Sequence, residues 1–189
     1  MNQLIYDFAL WVDGRSSSTA LHESFYMYNW IESTHVLALM ISLGMFFVID
    51  LRMLGFALPG VPASTIARRL NLPMIFGFTV MFATGLLLFY AIPVRTSQSL
   101  WFRIKLVLLV AAAVNAWLFH RRMLAAPDGW DDKPKAPALL RLGAALSLLF
   151  WALIVVCGRF IAYDWFDCQR DPSPLVSLLA GCIDGQTVF

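Results

Sequence analysis

The sequence predicts an all-α integral membrane protein: a four-helix bundle with an N-terminal interfacial amphipathic helix and a short extracytoplasmic C-terminal tail. Three observations predict it. Of 189 residues, 60% are hydrophobic and only 14% charged, whereas soluble domains carry roughly a quarter charged residues. Four apolar stretches approach the ~20 residues a helix needs to cross the hydrocarbon core. Finally, Lys and Arg gather in the connections on one side. The net charge of +2 is small and scattered, which argues against a nucleic-acid partner and leaves lipid as the expected surroundings.

Residues 1–24 form the N-terminal interfacial segment. They lack the basic n-region and small-residue cleavage site of a signal peptide, so the segment is expected to be retained. Leu4, Ile5, Phe8, Trp11 and Val12 fall on one helical face, with Asp7 and Asp13 away from it. That pattern suits a helix lying in the membrane interface or one packed on the bundle.

The bundle itself occupies residues 25–163, with expected spans at about 25–49, 72–92, 101–120 and 142–163. Pro73 then sits near the start of the second span and Pro93 just beyond its end, where helices tolerate proline. One side would carry Arg52, Arg68, Arg69, Arg121, Arg122, Lys133, Lys135 and Arg141. By the positive-inside rule that side is cytoplasmic. Both termini are then extracytoplasmic, which suits a multi-pass protein of a bacterial inner membrane.

The tail, residues 164–189, holds Cys168 and Cys182, a candidate disulfide in an oxidising compartment. Between them, "SPLVSLLAG" reads as a short helix with Ser173 as N-cap, Pro174 in the first turn and Gly181 as the stop. Cys157, within the fourth span, is expected to be a packing residue.

Glu32 and His35 interrupt the first span, and ionisable groups at that depth usually face a bundle interior or a cavity. Three residues apart, they share a helical face, and a carboxylate there orients an imidazole. From the same side come Arg103, Lys105 and Arg159, with Tyr163, Trp101, Tyr26 and Tyr28 at their level. One histidine, one carboxylate and three cations suit an anionic or strongly polar ligand: haem propionates, a quinone head group or a lipid phosphate. The plainer reading is that Arg103 and Lys105 snorkel to the interface and the aromatics are membrane anchors.

His120 looks like a second axial ligand for a haem on His35. In an up-and-down bundle, however, the helix rise separates the two imidazoles by roughly 13 Å in depth, which disfavours one shared haem. His120 then reads as interfacial, beside Asp50 and Arg52. His22 reaches the same iron only if the first helix breaks near "MYNW"; Met27 and Met40 are weaker candidates, methionine being common core filler. The pair in "VIDLRMLG", Asp50 and Arg52, is expected to form an ion pair and anchor the loop. Asn115, Ser147, Thr79 and Thr84 are expected to bond between helices. There is no Gly-rich phosphate loop, His-Glu-x-x-His, Cys-x-x-Cys or Cys-x-x-Cys-His motif.

Together, "IESTHVLALMISLG", "VIDLRMLG", "WFRIKLVLL", "NAWLFHRR" and "GRFIAYDW" resemble an uncharacterised family of bacterial four-helix inner-membrane proteins, a domain of unknown function. More loosely, they resemble CopD-like and cytochrome-b-like four-helix proteins. The resemblance covers roughly residues 20–165, and its recurrent polar positions match His35, Asp50, Arg52, Arg103, Lys105, His120 and Arg159. The tail lies beyond it and is the expected docking surface for other membrane-complex subunits.

The function expected from these readings is that of a small subunit of a membrane redox complex without independent catalytic activity. It would bind haem b or a quinone in an outer-leaflet pocket. His35 would serve as metal ligand or hydrogen-bond partner and Glu32 would orient it. Arg103, Lys105 and Arg159, with His120 as a further candidate, would balance the ligand's charge. Two other classes stand beside it: a cofactor-free structural or assembly subunit, and a copper-type transport protein using His and Met as soft ligands. The absence of a Met-x-x-Met or His-rich track weakens the last.

Overall fold

A computed structural model describes residues 2–124, 129–131, 133–163, 166–168 and 172–183. Among them are eight helices: α1 (Asn2–Asp13), α2 (Ser16–Glu23), α3 (Met27–Leu54), α4 (Ala63–Ala91), α5 (Pro93–Ser97), α6 (Leu100–Leu124), α7 (Ala138–Ala162) and α8 (Pro174–Ala180). Four of these, α3, α4, α6 and α7, are long and apolar enough to cross a bilayer. Only 11% of the most apolar window of α4, and the same share of α6, is buried within the protein. Leu72, Phe76 and Phe82 on α4, with Val107, Val110 and Trp117 on α6, are exposed instead. Large apolar faces of this kind need lipid as their solvent, and the chain is a multi-pass membrane protein.

Local chemistry explains the helix ends. The Ser24 hydroxyl accepts a hydrogen bond from the Met27 amide (3.2 Å) at the start of α3. At its other end, Gly55 adopts φ +83°, and the Phe56 amide reaches back to the Leu51 carbonyl (2.9 Å), closing a left-handed C-terminal cap. Gly181 ends α8 in the same way, at φ +78°, with the Cys182 amide on the Ser177 carbonyl (2.9 Å).

The second span is longer than its hydropathy alone implies. α4 begins at Ala63 rather than near Leu72, so Pro73 lies inside it and removes one amide donor from the third turn. Residues 63–71, which include Arg68 and Arg69, form a polar extension of the membrane helix. Its start is held from outside the helix by Asp131, whose carboxylate accepts from the Ser64 amide (3.0 Å) and the Ser64 hydroxyl (2.5 Å). Another element absent from the hydropathy pattern is α5, which starts on Pro93 as its first helical residue.

Two compact units divide the chain. The first comprises the described residues of Met1–His35, Phe82–Val107 and Ile154–Phe189; the second is Val36–Met81 with Leu108–Leu153. In the first unit, α1 packs through Tyr6 and Ala9 against Val94 of α5. Its Leu4, Ile5, Phe8 and Trp11 face outward, so one helix both packs on the protein and presents an apolar stripe. Phe89 stacks on Phe102 (5.5 Å between centroids), joining α4 to α6. The tail is closed by a disulfide between Cys168 and Cys182, and the Cys168 sulfur sits 3.5 Å from the Gln98 carbonyl.

The second unit is centred on Met53, Ala63, Ala136, Leu140 and Ala144, with Phe119 and Trp130 packed around them. A second layer of it is aromatic: Phe46, Phe78 and Trp151 meet at centroid distances of 4.8, 5.9 and 5.4 Å, joining α3, α4 and α7. Asn115 donates from α6 to the Gly143 carbonyl of α7 (2.9 Å).

Candidate functional site

His35 stands on α3 about 12 Å beyond Met27 by the helix rise, half-buried. Its Nδ1 lies 3.0 Å from the Thr84 hydroxyl of α4, a contact that fixes the ring. The neighbouring Gly85 leaves room for it: a Cβ there would stand 3.2 Å from His35 Cε1. The expected orienting partner, Glu32, is exposed. It lies three residues nearer the start of the helix and makes no hydrogen bond to the His35 ring among the described residues.

Lys105, on α6, is half-buried and carries its ammonium to the small Gly158 of α7, 3.8 Å from where a Cβ would be. The Cys157 thiol is beside it. One turn earlier on the same face is Trp101, packed on Phe160 (4.6 Å) and Phe166 (6.1 Å). Its indole Nε1–H is buried without an acceptor among the described residues. A buried donor in that state is uncommon and costs about 1–3 kcal/mol. The sequence placed Trp101 at the level of the candidate site and, on the plainer reading, as a membrane anchor, but an aromatic at a helix end gives no sign of where its N–H points.

The two arginines expected to join this site are differently engaged. Arg103 donates through Nη1 to the Asn2 side chain (3.1 Å) and through Nε to the Ser97 carbonyl (3.5 Å). Its guanidinium also lies so close to Gly181 that no side chain fits at that position. It therefore ties α1, the α5–α6 turn and the tail together. Arg159 is exposed and turns to Tyr163, donating to its hydroxyl (2.5 Å) and covering its ring (4.9 Å). His120 is exposed in the second unit, near the end of α6. His22, on α2, stands edge-on to Tyr28 (6.0 Å). Among the described residues no group of three or more His, Cys, Asp or Glu forms a metal cluster.

In the second unit the Asp50–Arg52 pair behaves otherwise than expected. Arg52, 1% exposed, makes no ion pair with Asp50. Its guanidinium donates to four backbone carbonyls: Val61 (2.6 Å), Pro134 (3.2 Å), Asp131 (3.2 Å) and Lys133 (3.0 Å). Five fixed donors on a planar fork suit converging carbonyls better than one carboxylate does, and the residue anchors both loops. Asp50 bonds Ser147 of α7 instead. Of the four small polar residues expected to join helices, Asn115, Ser147 and Thr84 do so. The fourth, Thr79, returns to the Ile75 carbonyl of its own helix (2.8 Å).

Residues 23–164 match the model of a family of unknown function, DUF6644, and the chain belongs to that family. The match takes in all four long helices. No curated protein and no solved structure matches the chain.

Proposed function

We propose that the protein is a small subunit of a membrane redox complex and that its first unit holds a quinone head group. The observation that carries this reading is the donor pair on α6. Trp101 Nε1–H, buried without an acceptor among the described residues, and the Lys105 ammonium, lying against Gly158, are on one face of the helix. A quinone carbonyl accepts hydrogen bonds, and a fixed ammonium stabilises the negative charge that grows on it during reduction. His35, held by Thr84 in the same unit, adds an imidazole whose ring nitrogens can donate or accept a hydrogen bond.

A haem b uses the same charge pattern, since propionates suit a lysine and His35 suits an iron. It also asks for a second axial ligand level with the first. The quinone makes the smaller demand. By the positive-inside rule the loops of the second unit lie in the cytoplasm and both termini outside, where the tail disulfide persists.

The test is extraction of the protein purified in mild detergent. Quinone in stoichiometric amount is expected from wild type and a loss of at least tenfold from Lys105→Met and His35→Gln, both retaining helical content. A quinone-free, colourless wild type overturns the redox reading. It would leave a structural subunit, a reading supported by the hydrogen bonds with which Arg52 and Arg103 tie together segments of the chain itself.

A further inference from the structure

Asp50 is 5% exposed, four residues before the end of α3, and has no part in the ligand site above. One carboxyl oxygen meets the Ser147 hydroxyl; the other, Oδ2, is buried with no partner among the described residues. Among the described residues no cation pairs with it. Arg52, two residues on, is fully engaged on loop carbonyls. Arg68 and Arg69 on α4, His120 and Arg121 on α6, and Arg141 on α7 are exposed; Arg122 is half-exposed. A carboxylate in that setting would be an unpaired charge inside a packed apolar unit, the arrangement proteins avoid by keeping the group neutral.

We propose that Asp50 is a proton-binding site of the membrane domain. The neutral carboxyl accepts from Ser147 on its carbonyl oxygen and keeps the proton on the other. A metal ion is the poorer occupant: a hard cation takes about six oxygens, and this place offers one carboxyl and one hydroxyl. Exchange runs toward the loops, since α3 ends about 6 Å beyond Asp50 by the helix rise. In the other direction along α3 and α7, one turn away, the Phe46–Phe78–Trp151 layer closes the path. The proton leaves to water, giving the carboxylate and hydronium, and returns the same way. The proposal does not depend on the quinone reading.

Infrared difference spectroscopy of the full chain in lipid, wild type minus Asp50→Asn, tests it. The carbonyl stretch of a protonated carboxylic acid is expected at neutral pH in wild type, lost in the variant, and displaced after incubation in D2O. Ser147→Ala keeps the carboxyl but removes its donor, so the band should move to higher wavenumber. That shift decides the matter even if Asp50→Asn does not fold. An ionised carboxylate in wild type at neutral pH, or a band unaffected by Ser147→Ala, overturns the site. A band that never shifts in D2O overturns the exchange path.

Discussion

At the scale of single residues, the contacts that set this structure are made by polar groups inside apolar helices. Arg52 is the clearest case. Replacing it by Ala leaves four carbonyls without their donor and a void in the loop packing, and should lower stability by at least about 3 kcal/mol. Arg52→Lys retains the charge but not the fork, so thermal unfolding in detergent should place it between Ala and wild type. Ser42 and Gly77 offer a second test. Ser42 is fully buried, its hydroxyl without a partner among the described residues, and a Cβ on Gly77 would collide with that hydroxyl oxygen. Gly77→Ala is expected to destabilise by about 1–3 kcal/mol. Ser42→Ala, which removes the colliding atom, should rescue most of that loss in the double variant; additive losses would refute the contact.

Among the elements, the outset of α4 carries a pH dependence. Burial of Asp131 raises its carboxyl, but the two hydrogen bonds from Ser64, one from the Ala63 amide and the nearby Arg52 charge outweigh it and hold the group below its usual range. A lowered carboxyl adds stability that is present above its unfolded value, about pH 4, and is lost as pH falls through the lower folded value. Limited proteolysis of the loops after α3 and before α7 should therefore quicken on acidification, and Asp131→Asn should be cleaved at the acid rate at every pH. In the tail, the disulfide closes a loop of sequence separation 14, for which the chain-entropy argument gives about 3 kcal/mol. Reduction should speed cleavage within 172–183 while leaving the melting of the four long helices unmoved; a matching loss in both would show that the tail is part of the core.

The sequence carried the four long helices because length and hydropathy alone decide whether a segment can span. It carried α1's exposed stripe of Leu4, Ile5, Phe8 and Trp11 through the helical period of its apolar residues, but that period also put Val12 on the stripe, and Val12 is buried. It misplaced the start of α4, where a polar extension continues a membrane helix past the point at which hydropathy falls, and its cap, Asp131, lies 67 residues away from Ser64. Of the site, His35 and Lys105 were legible as ionisable residues inside spans. Hidden were the partners: Thr84 for His35, Ser147 for Asp50, backbone carbonyls for Arg52, and Asn2 and the Ser97 carbonyl for Arg103. Hydrogen bonds between distant segments leave no periodicity in the chain.

For the molecule as a whole, the account is of a four-span member of the DUF6644 family. Its first unit buries the Trp101 indole N–H without an acceptor among the described residues, and its second unit is locked by Arg52. The measurement that tests the central claim most directly is a paired assay of purified wild type, His35→Gln and Lys105→Met: quinone content by extraction beside a reduced-minus-oxidised absorption spectrum. The account predicts about one quinone per chain in wild type, lost in both variants, and no b-type haem band in any sample. A haem band that disappears with His35→Gln would keep the redox role but contradict the quinone, while neither quinone nor band in wild type would contradict the redox role altogether.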